Sequence, residues 1–314
     1  MASRARLAWE CPAFVVSVSS VHPVIAVVGP TATGKSELGI ALATRLDGEI
    51  VNADAMQLYR GMDIGTAKVR PDERGGIPHH QLDVLDVSAE ASVAHYQLSA
   101  RADISAIVAR GRRPIVVGGS GLYVRALLDR FDFPGTDDAI RGELERRADE
   151  HGPGVLHREL RDRDPVAAES IDPRNARRII RALEVIEITG APYSSNLPTH
   201  EYEIPAIQIG IAHDIDVLDR RIEERVGAMW AAGLVGEVER LIDEGLRQGR
   251  TAQRAVGYAE TLRYLDGALS ETETPELIAR NTRRLARRQR RWFEPDKRVR
   301  WVSGFDDALA TLEE

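Results

Sequence analysis

Short runs of strand character alternate with longer amphipathic patterns in the first half of the chain. The runs cover residues 24–28, 49–52 and 114–117 and are bounded by glycine or polar turns. Between them, apolar residues return at helical spacing after residue 35 and again over residues 93–110. Short apolar runs separated by helices are typical of parallel strands that are covered on both faces. The pattern therefore predicts a parallel sheet flanked by helices.

The pattern changes in the middle of the chain. Residues 137–197 have the spacing of helices, are rich in arginine and glutamate, and contain no strand pattern. A last strand is predicted over residues 206–212, and the remainder is predicted as helices broken at Gly245, Gly257 and Gly267. The middle segment is therefore expected to be a helical insertion between two parts of one sheet domain.

A glycine-bounded loop follows the first predicted strand. It has the form G-x-x-x-x-G-K-S and lies between that strand and the first predicted helix. The glycines let backbone N–H groups turn inward around an anion, Lys35 adds a positive charge, and Ser36 offers a hydroxyl group to a magnesium ion. The predicted phosphate-binding residues are Gly29, Pro30, Thr31, Ala32, Thr33, Gly34, Lys35 and Ser36. The motif does not identify the phosphorylated ligand.

With this loop, the predicted fold class is α/β: a P-loop NTPase-like parallel sheet flanked by helices, with an inserted helical subdomain. We predict a disordered N-terminal extension over residues 1–22 and a helical insertion over residues 135–198. The core, with the C-terminal helices, is predicted to comprise residues 23–134 together with 199–314.

Composition narrows the class of protein. The chain has 314 residues, of which 43% are hydrophobic and 29% charged, and its formal net charge is −7, as expected for a globular protein. Cys11 is the only cysteine, which excludes a disulfide within one chain and a cysteine-ligated zinc site and favours a cytoplasmic location. No apolar run is long enough to span a membrane, and the first 22 residues lack the apolar centre of a signal peptide.

Polar residues follow the second and third predicted strands, at the edge where the phosphate loop opens. Asp54 could serve as a base, or it could form a turn or cap a helix. The glycine-rich residues 118–121 are expected to form a wall of the substrate site. His79 and His80 lack further ligands at metal-binding spacing, so we predict a hydrogen-bonded structural role for them.

Two arginine arrays are present in this acidic chain. The first lies on a helix that Asp172 and Pro173 are predicted to begin, and it comprises Arg174, Arg177, Arg178 and Arg181. The second comprises Arg280, Arg283, Arg284, Arg287, Arg288, Arg290 and Arg291, with Ile278, Leu285 and Trp292 as its predicted packed stripe. Such arrays can be solvated faces paired with acids. Two of them in one acidic chain favour binding of nucleic-acid phosphates.

In combination these motifs resemble the tRNA dimethylallyltransferase family. The resemblance covers residues 24–293 and rests on GPTATGKS, DAMQLYR, DIGTAK, HHQLD, GGSGLY, DPRNARRIIRALEV, AVGYAE and TRRLARRQRRWF. Thr33 stands where serine is common in the family, and Ala55 and Met56 also depart from its pattern. None of these departures removes a group that the chemistry needs.

The resemblance implies transfer of a dimethylallyl group from dimethylallyl diphosphate to N6 of adenosine 37 in tRNA, with release of diphosphate. Asp54 would accept the proton of the attacking amine, and Thr31 would bind the bridging oxygen. Lys35, Arg254 and a Mg²⁺ ion held partly by Ser36 would stabilise the leaving diphosphate. Independently of the family, Arg254 lies at a predicted turn before a helix and is suited to clamp a second phosphate.

The resemblance also implies how tRNA binds. The target base would leave its stack, as enzymes that act on bases require. The residues implied to hold the base are Asp54, Ala55, Met56 and Gln57, and Ser120 is implied to touch the tRNA. The residues implied to bind the anticodon stem-loop are Arg177, Arg178, Ile179, Ile180 and Arg181. The second array would line the channel or hold RNA phosphates, and a monomer is expected to suffice.

Three other functions remain open from the sequence. An adenylate isopentenyltransferase would share the chemistry but use a free nucleotide, and the arginine arrays argue against it. A small-molecule kinase would use the loop for ATP, but then the DIGTAK and GGSGLY blocks have no role. A non-catalytic RNA-binding module would leave the phosphate loop and Asp54 unexplained.

Overall fold

A computed structural model describes residues 22–196 and 200–313. Its centre is a six-stranded, all-parallel sheet with the strand order β3-β2-β4-β1-β5-β6. The strands are β1 (Val24–Val28), β2 (Gly48–Asn52), β3 (His79–His80), β4 (Arg113–Gly118), β5 (Ala206–Ile211) and β6 (Val299–Val302). The predicted class, a parallel sheet flanked by helices, is confirmed.

Twelve α-helices lie within the described residues. They are α1 (Lys35–Arg45), α2 (Val93–Ala109), α3 (Gly121–Leu128), α4 (Asp138–His151), α5 (Pro153–Arg163), α6 (Pro165–Ser170), α7 (Ala176–Thr189), α8 (Ile215–Ala231), α9 (Leu234–Asp243), α10 (Tyr258–Leu265), α11 (Glu273–Phe293) and α12 (Phe305–Glu313). Short 3₁₀ turns cover Pro71–Arg74, Tyr193–Asn196 and Ala252–Arg254. Within the described ranges, no helix combines the length and the apolar character that a bilayer crossing requires.

The central strands are buried on both faces, as their apolar sequence predicts. In β1, Val24, Ala26 and Val28 pack into the hydrophobic cluster that contains α2 and α3, whereas Ile25 and Val27 pack into the cluster that contains α1 and α12. Because side chains alternate across a strand, this single five-residue run joins both layers of the core. The carboxyl ends of β1, β2 and β4 then meet at one edge of the sheet.

The helices α4 to α7 form a hydrophobic cluster of their own. It includes Leu156, Leu160, Ile179 and Leu183, all with no exposed surface. The predicted insertion thus has a core separate from the sheet. Its predicted start near residue 135 precedes α4, and its predicted end at 198 falls outside the described residues, as do residues 1–21 of the predicted extension. The domain boundaries stay predictions.

Two strands were missed by the sequence reasoning, and one predicted cap is wrong. β3 has only two residues, and β6 carries Arg300 and an exposed Trp301 between two buried valines, so neither gives an apolar run. Helix α7 begins at Ala176, and its N-cap is Asn175, whose side chain accepts the Arg178 N–H. The Asp172 carboxylate instead accepts the Arg174 N–H within the preceding turn.

The predicted packed stripe of α11 is only partly correct. Ile278 is buried, but Leu285 is half-buried and Trp292 is 38% exposed. The buried face is formed by Thr274, Ile278, Ala279, Ala286, Gln289 and Phe293. A strict seven-residue repeat drifts around a straight helix, and here it moves Leu285 and Trp292 towards a cavity.

Candidate active site

The phosphate loop joins β1 to α1 with the backbone geometry that its glycines allow. Gly29 has a φ of +124° and Gly34, the N-cap of α1, a φ of +90°. Thr33 Oγ1 donates to the Pro30 carbonyl at 2.9 Å, and the Thr33 carbonyl lies 2.9 Å from His213 Nε2. The loop is therefore held in place without a ligand, at the N-terminus of a helix, where an anion is stabilised.

A cavity of about 840 Å³ opens beside this loop. We call it the donor cavity. Thr31, Ala32, Gly34, Lys35 and Ser36 of the predicted loop line it. Asp54 and Gln57, from the segment after β2, and Arg225 of α8 also line it. The structure thus brings five of the eight predicted phosphate-binding residues and the predicted base to one space, whereas Gly29, Pro30 and Thr33 do not line it.

Asp54 is fixed by the turn after β2. Its N–H donates to Asn52 Oδ1 at 3.0 Å, and its Oδ1 accepts the Met56 N–H at 2.9 Å. Burial raises the pKa of Asp54 above its ordinary value, while the Met56 N–H and the charge of Lys35 act in the opposite direction. The carboxylate therefore has a turn-forming role and also faces the cavity, so the two interpretations of Asp54 are compatible.

Lys35 is the partner charge of Asp54. Burial lowers its pKa from 10.5 to about 8, and the Asp54 carboxylate acts against this shift. The ammonium group also donates to the Pro30 carbonyl at 2.5 Å. Each of these two buried groups is costly to ionise alone, and each stabilises the charge of the other.

Arg225 was not singled out from the sequence, and Arg254 was. Arg225 Nη1 lies 3.4 Å from Thr31 Oγ1, and burial lowers the pKa of its guanidinium, with Glu37 opposing that change. Arg254 is exposed in the 3₁₀ turn before α10 and does not line the donor cavity. No local pattern distinguishes Arg225 from the other arginines of α8, because only the packing of α8 brings it to Thr31.

The glycine-rich turn after β4 touches the segment after β2. A Cβ on Gly118 would lie 2.3 Å from the backbone of Ala53, so only glycine fits there. The Ser120 N–H donates to the Ala53 carbonyl, and Ser120 Oγ accepts the Ala55 N–H at 3.0 Å. The predicted substrate wall is therefore also the contact that fixes the backbone beside Asp54.

A second cavity, of about 580 Å³, lies on the other side of this contact. We call it the acceptor cavity. It is bordered by the core, by α7 and the 3₁₀ turn of the insertion, and by α11. Its lining includes Ala55, Gly119, Ser120, Tyr123, Phe131, Arg178, Tyr193, Leu285, Arg288, Gln289 and Trp292. Gly119 lines both cavities, and the consecutive residues Asp54 and Ala55 line one each. The two cavities therefore adjoin at Asp54, Ala55 and Gly119.

The arginines of the first array differ in their exposure and in their partners. Arg177 and Arg178 are exposed and have no acidic partner in the described part of the chain, and Arg178 lines the acceptor cavity. Arg174 is exposed and pairs with Asp172. Arg181 instead donates to the fully buried Glu184 at 2.8 Å and to the carbonyl groups of Pro134 and Gly135. It joins α7 to the segment where the chain leaves the core.

Four predicted tRNA contacts have side chains that are buried or bonded elsewhere in this structure, and their role in tRNA binding stays a prediction. Ile179 has no exposed surface and Ile180 has 8%, because both pack in the core of the insertion. The guanidinium of Arg181 is occupied by the contacts described above. Met56 packs against the hydrophobic cluster of the C-terminal helices and lines neither cavity. Gln57 donates to the Thr66 carbonyl at 3.1 Å and faces the donor cavity.

The arginines of α11 form two adjacent stripes. One stripe contacts acids: Arg283 pairs with Glu223 and Arg287 with Asp219, both on α8, and Arg290 pairs with Glu294. The other stripe is exposed and has no acidic partner among residues 22–196 and 200–313. Its members are Arg280, Arg284, Arg288 and Arg291. Only this second stripe, which we call the free stripe, is available to phosphates.

The remaining motifs support the walls of the site. Lys68, only 8% exposed, donates to the Tyr59 carbonyl and pairs with Asp63 and Asp83, each at 2.6 Å. Glu237 accepts the N–H groups of residues 63–65 and the Tyr258 hydroxyl, which fixes the DIGTAK segment at the donor cavity. The structural role predicted for the histidine pair is confirmed by the 2.6 Å contact of His80 with Glu49.

The donor cavity contains few protein ligands for a metal ion. In the described ranges, no group of three or more His, Cys, Asp or Glu side chains could hold one. Ser36 offers a hydroxyl oxygen and Asp54 a carboxylate on the same cavity. This set fits a Mg²⁺ ion that is bound mainly through substrate phosphates, as that ion commonly is.

Comparison with known proteins gives a consistent result. The sequence profile of the family described as IPP transferase matches residues 57–296. A tRNA dimethylallyltransferase of Streptomyces avermitilis is 58% identical over 300 residues, which cover 95% of each chain. One of Salinispora arenicola is 57% identical over 286 residues, or 91% of this chain and 84% of the relative.

Solved structures agree. The chain is similar to the full-length tRNA isopentenylpyrophosphate transferase of Bacillus halodurans, with 40% identity, a TM-score of 0.67, and coverage of 93% of this chain and 97% of that one. It is also similar to a eukaryotic dimethylallyltransferase acting on tRNA, with 28% identity, a TM-score of 0.77, and coverage of 87% and 70%.

Proposed function

The chain belongs to the IPP transferase family, and from this premise we propose that it transfers a dimethylallyl group from dimethylallyl diphosphate to N6 of adenosine 37 in tRNA. The two relatives described above are tRNA dimethylallyltransferases, and the alignments cover 95% and 84% of their own lengths. The single observation that carries the proposal is the meeting of the donor and acceptor cavities at Asp54, Ala55 and Gly119. A transferase needs one place where two substrates approach from different sides.

The donor would bind with its diphosphate on the phosphate loop. Ala32, Gly34 and Ser36 of the loop border this space, and the Lys35 ammonium and the Arg225 guanidinium supply positive charge there. As the allylic C–O bond breaks, its electron pair passes to the diphosphate oxygen, and these fixed positive groups stabilise the growing charge. Arg254 remains a predicted second clamp, which requires it to approach the bound diphosphate from its exposed turn.

Asp54 would act as the general base. The exocyclic amine of adenine would form the new C–N bond and lose one proton, and Asp54 is the carboxylate that lies where the two cavities adjoin. Its hydrogen bond with the Met56 N–H fixes the carboxylate, and its raised pKa makes it a better proton acceptor than an exposed aspartate. Thr31 would hold the bridging oxygen, and Arg225 lies against its hydroxyl group.

A Mg²⁺ ion would be held by Ser36 together with diphosphate oxygens. When bound, it would supply positive charge at the leaving diphosphate. The residues of this chain do the remaining work, since they orient the diphosphate and receive the proton.

The acceptor would enter from the other side. Arg178 on α7 and Arg288 of the free stripe line the acceptor cavity, have no acidic partner among the described residues, and would offer charge to RNA phosphates. Ala55, Ser120 and the exposed Trp292 offer the surface against which an unstacked base would lie. The predicted monomeric state and cytoplasmic location stay predictions.

The proposed function is tested by offering labelled dimethylallyl diphosphate, with Mg²⁺, to unmodified tRNA and to AMP in parallel. Label in tRNA alone supports the proposal. Label in AMP would identify a nucleotide isopentenyltransferase instead. If neither acceptor is labelled and the protein consumes ATP with a small-molecule acceptor, the kinase alternative replaces it.

A further inference from the structure

One side chain touches both the phosphate loop and the acceptor cavity. Gln289 of α11 is only 8% exposed, and its Oε1 accepts the Thr31 N–H at 2.8 Å. It interrupts a run of arginines, because Arg288 precedes it and Arg290 follows it. The same glutamine borders the acceptor cavity together with Arg288 and Trp292.

The orientation of the Gln289 amide follows from its partner. A backbone N–H can only donate, so the atom that faces Thr31 must be the oxygen, and Nε2 must point elsewhere. Nε2 makes no hydrogen bond within the described residues. It keeps access to solvent, because Arg113 Nε is the one fully buried, unpartnered side-chain nitrogen or oxygen in that part of the chain.

The glycine-rich turn makes room for this amide. A Cβ on Gly119 would lie 2.4 Å from Gln289 Nε2 and 3.0 Å from the Gly29 carbonyl oxygen. The amide is thus packed between the phosphate loop and the wall that both cavities share. Of the two cavities, Gln289 lines the acceptor cavity alone.

We propose that Gln289 is a positioning residue that couples the two substrates: it holds Thr31 in place through Oε1 and offers its Nε2 hydrogens to the acceptor RNA. This inference rests on the proposed function. An RNA group bound to Nε2 would hold the amide in the orientation that it has here, and the Oε1 contact would then hold the Thr31 backbone more firmly for the diphosphate. Because coupling between two ligands is reciprocal, the donor tightens RNA binding by the same factor.

The test measures this coupling in equilibrium. Binding of dimethylallyl S-thiolodiphosphate, an unreactive donor in which sulfur replaces the bridging oxygen, is titrated with and without a saturating anticodon stem-loop RNA that carries adenosine 37. For the unchanged protein, the donor should bind at least about fivefold more tightly with RNA than without it, which is a typical size for the coupling between two sites. For Gln289→Met, which keeps the volume and loses both hydrogen-bonding atoms, the two affinities should agree within about twofold.

Two variants separate coupling from stability. Gln81→Met removes another amide of equal burial, which bonds to Asp103 and Ser99 away from both cavities. It should lower the thermal midpoint comparably and leave the coupling unchanged. Gln289→Glu keeps an acceptor for the Thr31 N–H but loses the Nε2 donor. If Gln289→Met does not fold, Gln289→Glu should still lose the coupling.

The outcomes are distinct. Coupling that survives in Gln289→Met or Gln289→Glu overturns the inference, and so does its absence in the unchanged protein. If the unchanged protein prenylates the stem-loop RNA with the natural donor, the proposed function stands in either case. If it does not, the premise of both is removed.

Discussion

The donor cavity and the acceptor cavity adjoin but are built differently. The phosphate-binding wall of the donor cavity comes from residues 29–36, one contiguous loop whose hydrogen bonds are already formed. The acceptor cavity is assembled from the core, from α7 of the insertion and from α11. A contiguous loop is specified by its own sequence, whereas an assembled cavity depends on how distant elements pack. We therefore expect the chemistry to depend on a few fixed groups and RNA recognition to depend on the placement of the insertion.

The sharpest way to separate the two cavities is to remove the base that lies between them. Asp54→Asn keeps the side-chain volume and an oxygen for the Met56 N–H but cannot accept a proton. We expect turnover to fall by about a thousandfold, the middle of the range for general base catalysis. Affinity for tRNA should stay within about twofold, measured by fluorescence anisotropy. A parallel loss of tRNA affinity would make Asp54 an RNA-binding residue.

The acceptor side should respond to salt. Arg178→Ala with Arg288→Ala removes two charges that line the acceptor cavity and have no acidic partner in the described ranges. We expect tRNA binding to weaken by about tenfold, and the slope of log affinity against log salt to fall by between about one and two. Single-turnover transfer at saturating tRNA should change little.

Its matched control lies on the same helix. Arg283→Ala with Arg287→Ala removes as much charge from the stripe that pairs with α8. This double variant should lower stability and leave the salt slope nearly unchanged. Equal slopes for the two double variants would mean that α11 attracts RNA only through its total charge.

A pH titration should affect the donor side alone. Lys35 has a pKa of about 8, and a diphosphate favours its charged form. Below pH 8 the ammonium is already present, so donor affinity should be flat there. Above pH 8 the affinity should fall, by up to about tenfold per pH unit, until the pKa of the complex is reached. Isothermal titration of the unreactive donor between pH 7 and 9.5 measures this, and a flat profile would contradict the assigned role of Lys35.

The smallest effect is expected at the junction of the two domains. Arg181→Ala removes bonds to Glu184 and to the Pro134 and Gly135 carbonyl groups, while Arg141 still pairs with Glu184. We expect a loss of about 1–2 kcal/mol in the free energy of unfolding, measured by urea denaturation. The salt slope of tRNA binding should be unaffected, unlike that of the Arg178 and Arg288 variant. A change in slope without a change in stability would return Arg181 to the RNA surface.

The same contrast explains what could be predicted from the sequence. Strands 24–28 and 114–117 and the phosphate loop follow from local patterns, and the structure confirms these strands. Arg225 and Gln289 could not be found in this way, because only the packing of α8 and α11 brings them to Thr31. One signal for Gln289 was present, since it is a neutral residue within a run of arginines.

The arginine arrays show the limit of a spacing argument. Spacing correctly placed the second array and all of the first except Arg174 on helices, but it could not tell which side chains meet acids. Arg283 and Arg287 find partners on α8, which lies more than fifty residues earlier in the chain. Pairing with acids therefore holds for some members of one array, and phosphate binding stays a prediction for the others.

Both substrates are proposed to meet at the Asp54 wall, and the position of the transferred group shows whether they do. Enzyme loaded with labelled dimethylallyl diphosphate and Mg²⁺ is mixed with a limiting amount of unmodified tRNA for a single turnover, and the RNA is digested and mapped by mass spectrometry. Label is expected on N6 of adenosine 37, with one diphosphate released per group transferred. Label at another nucleoside, or diphosphate released without transfer to RNA, would contradict it.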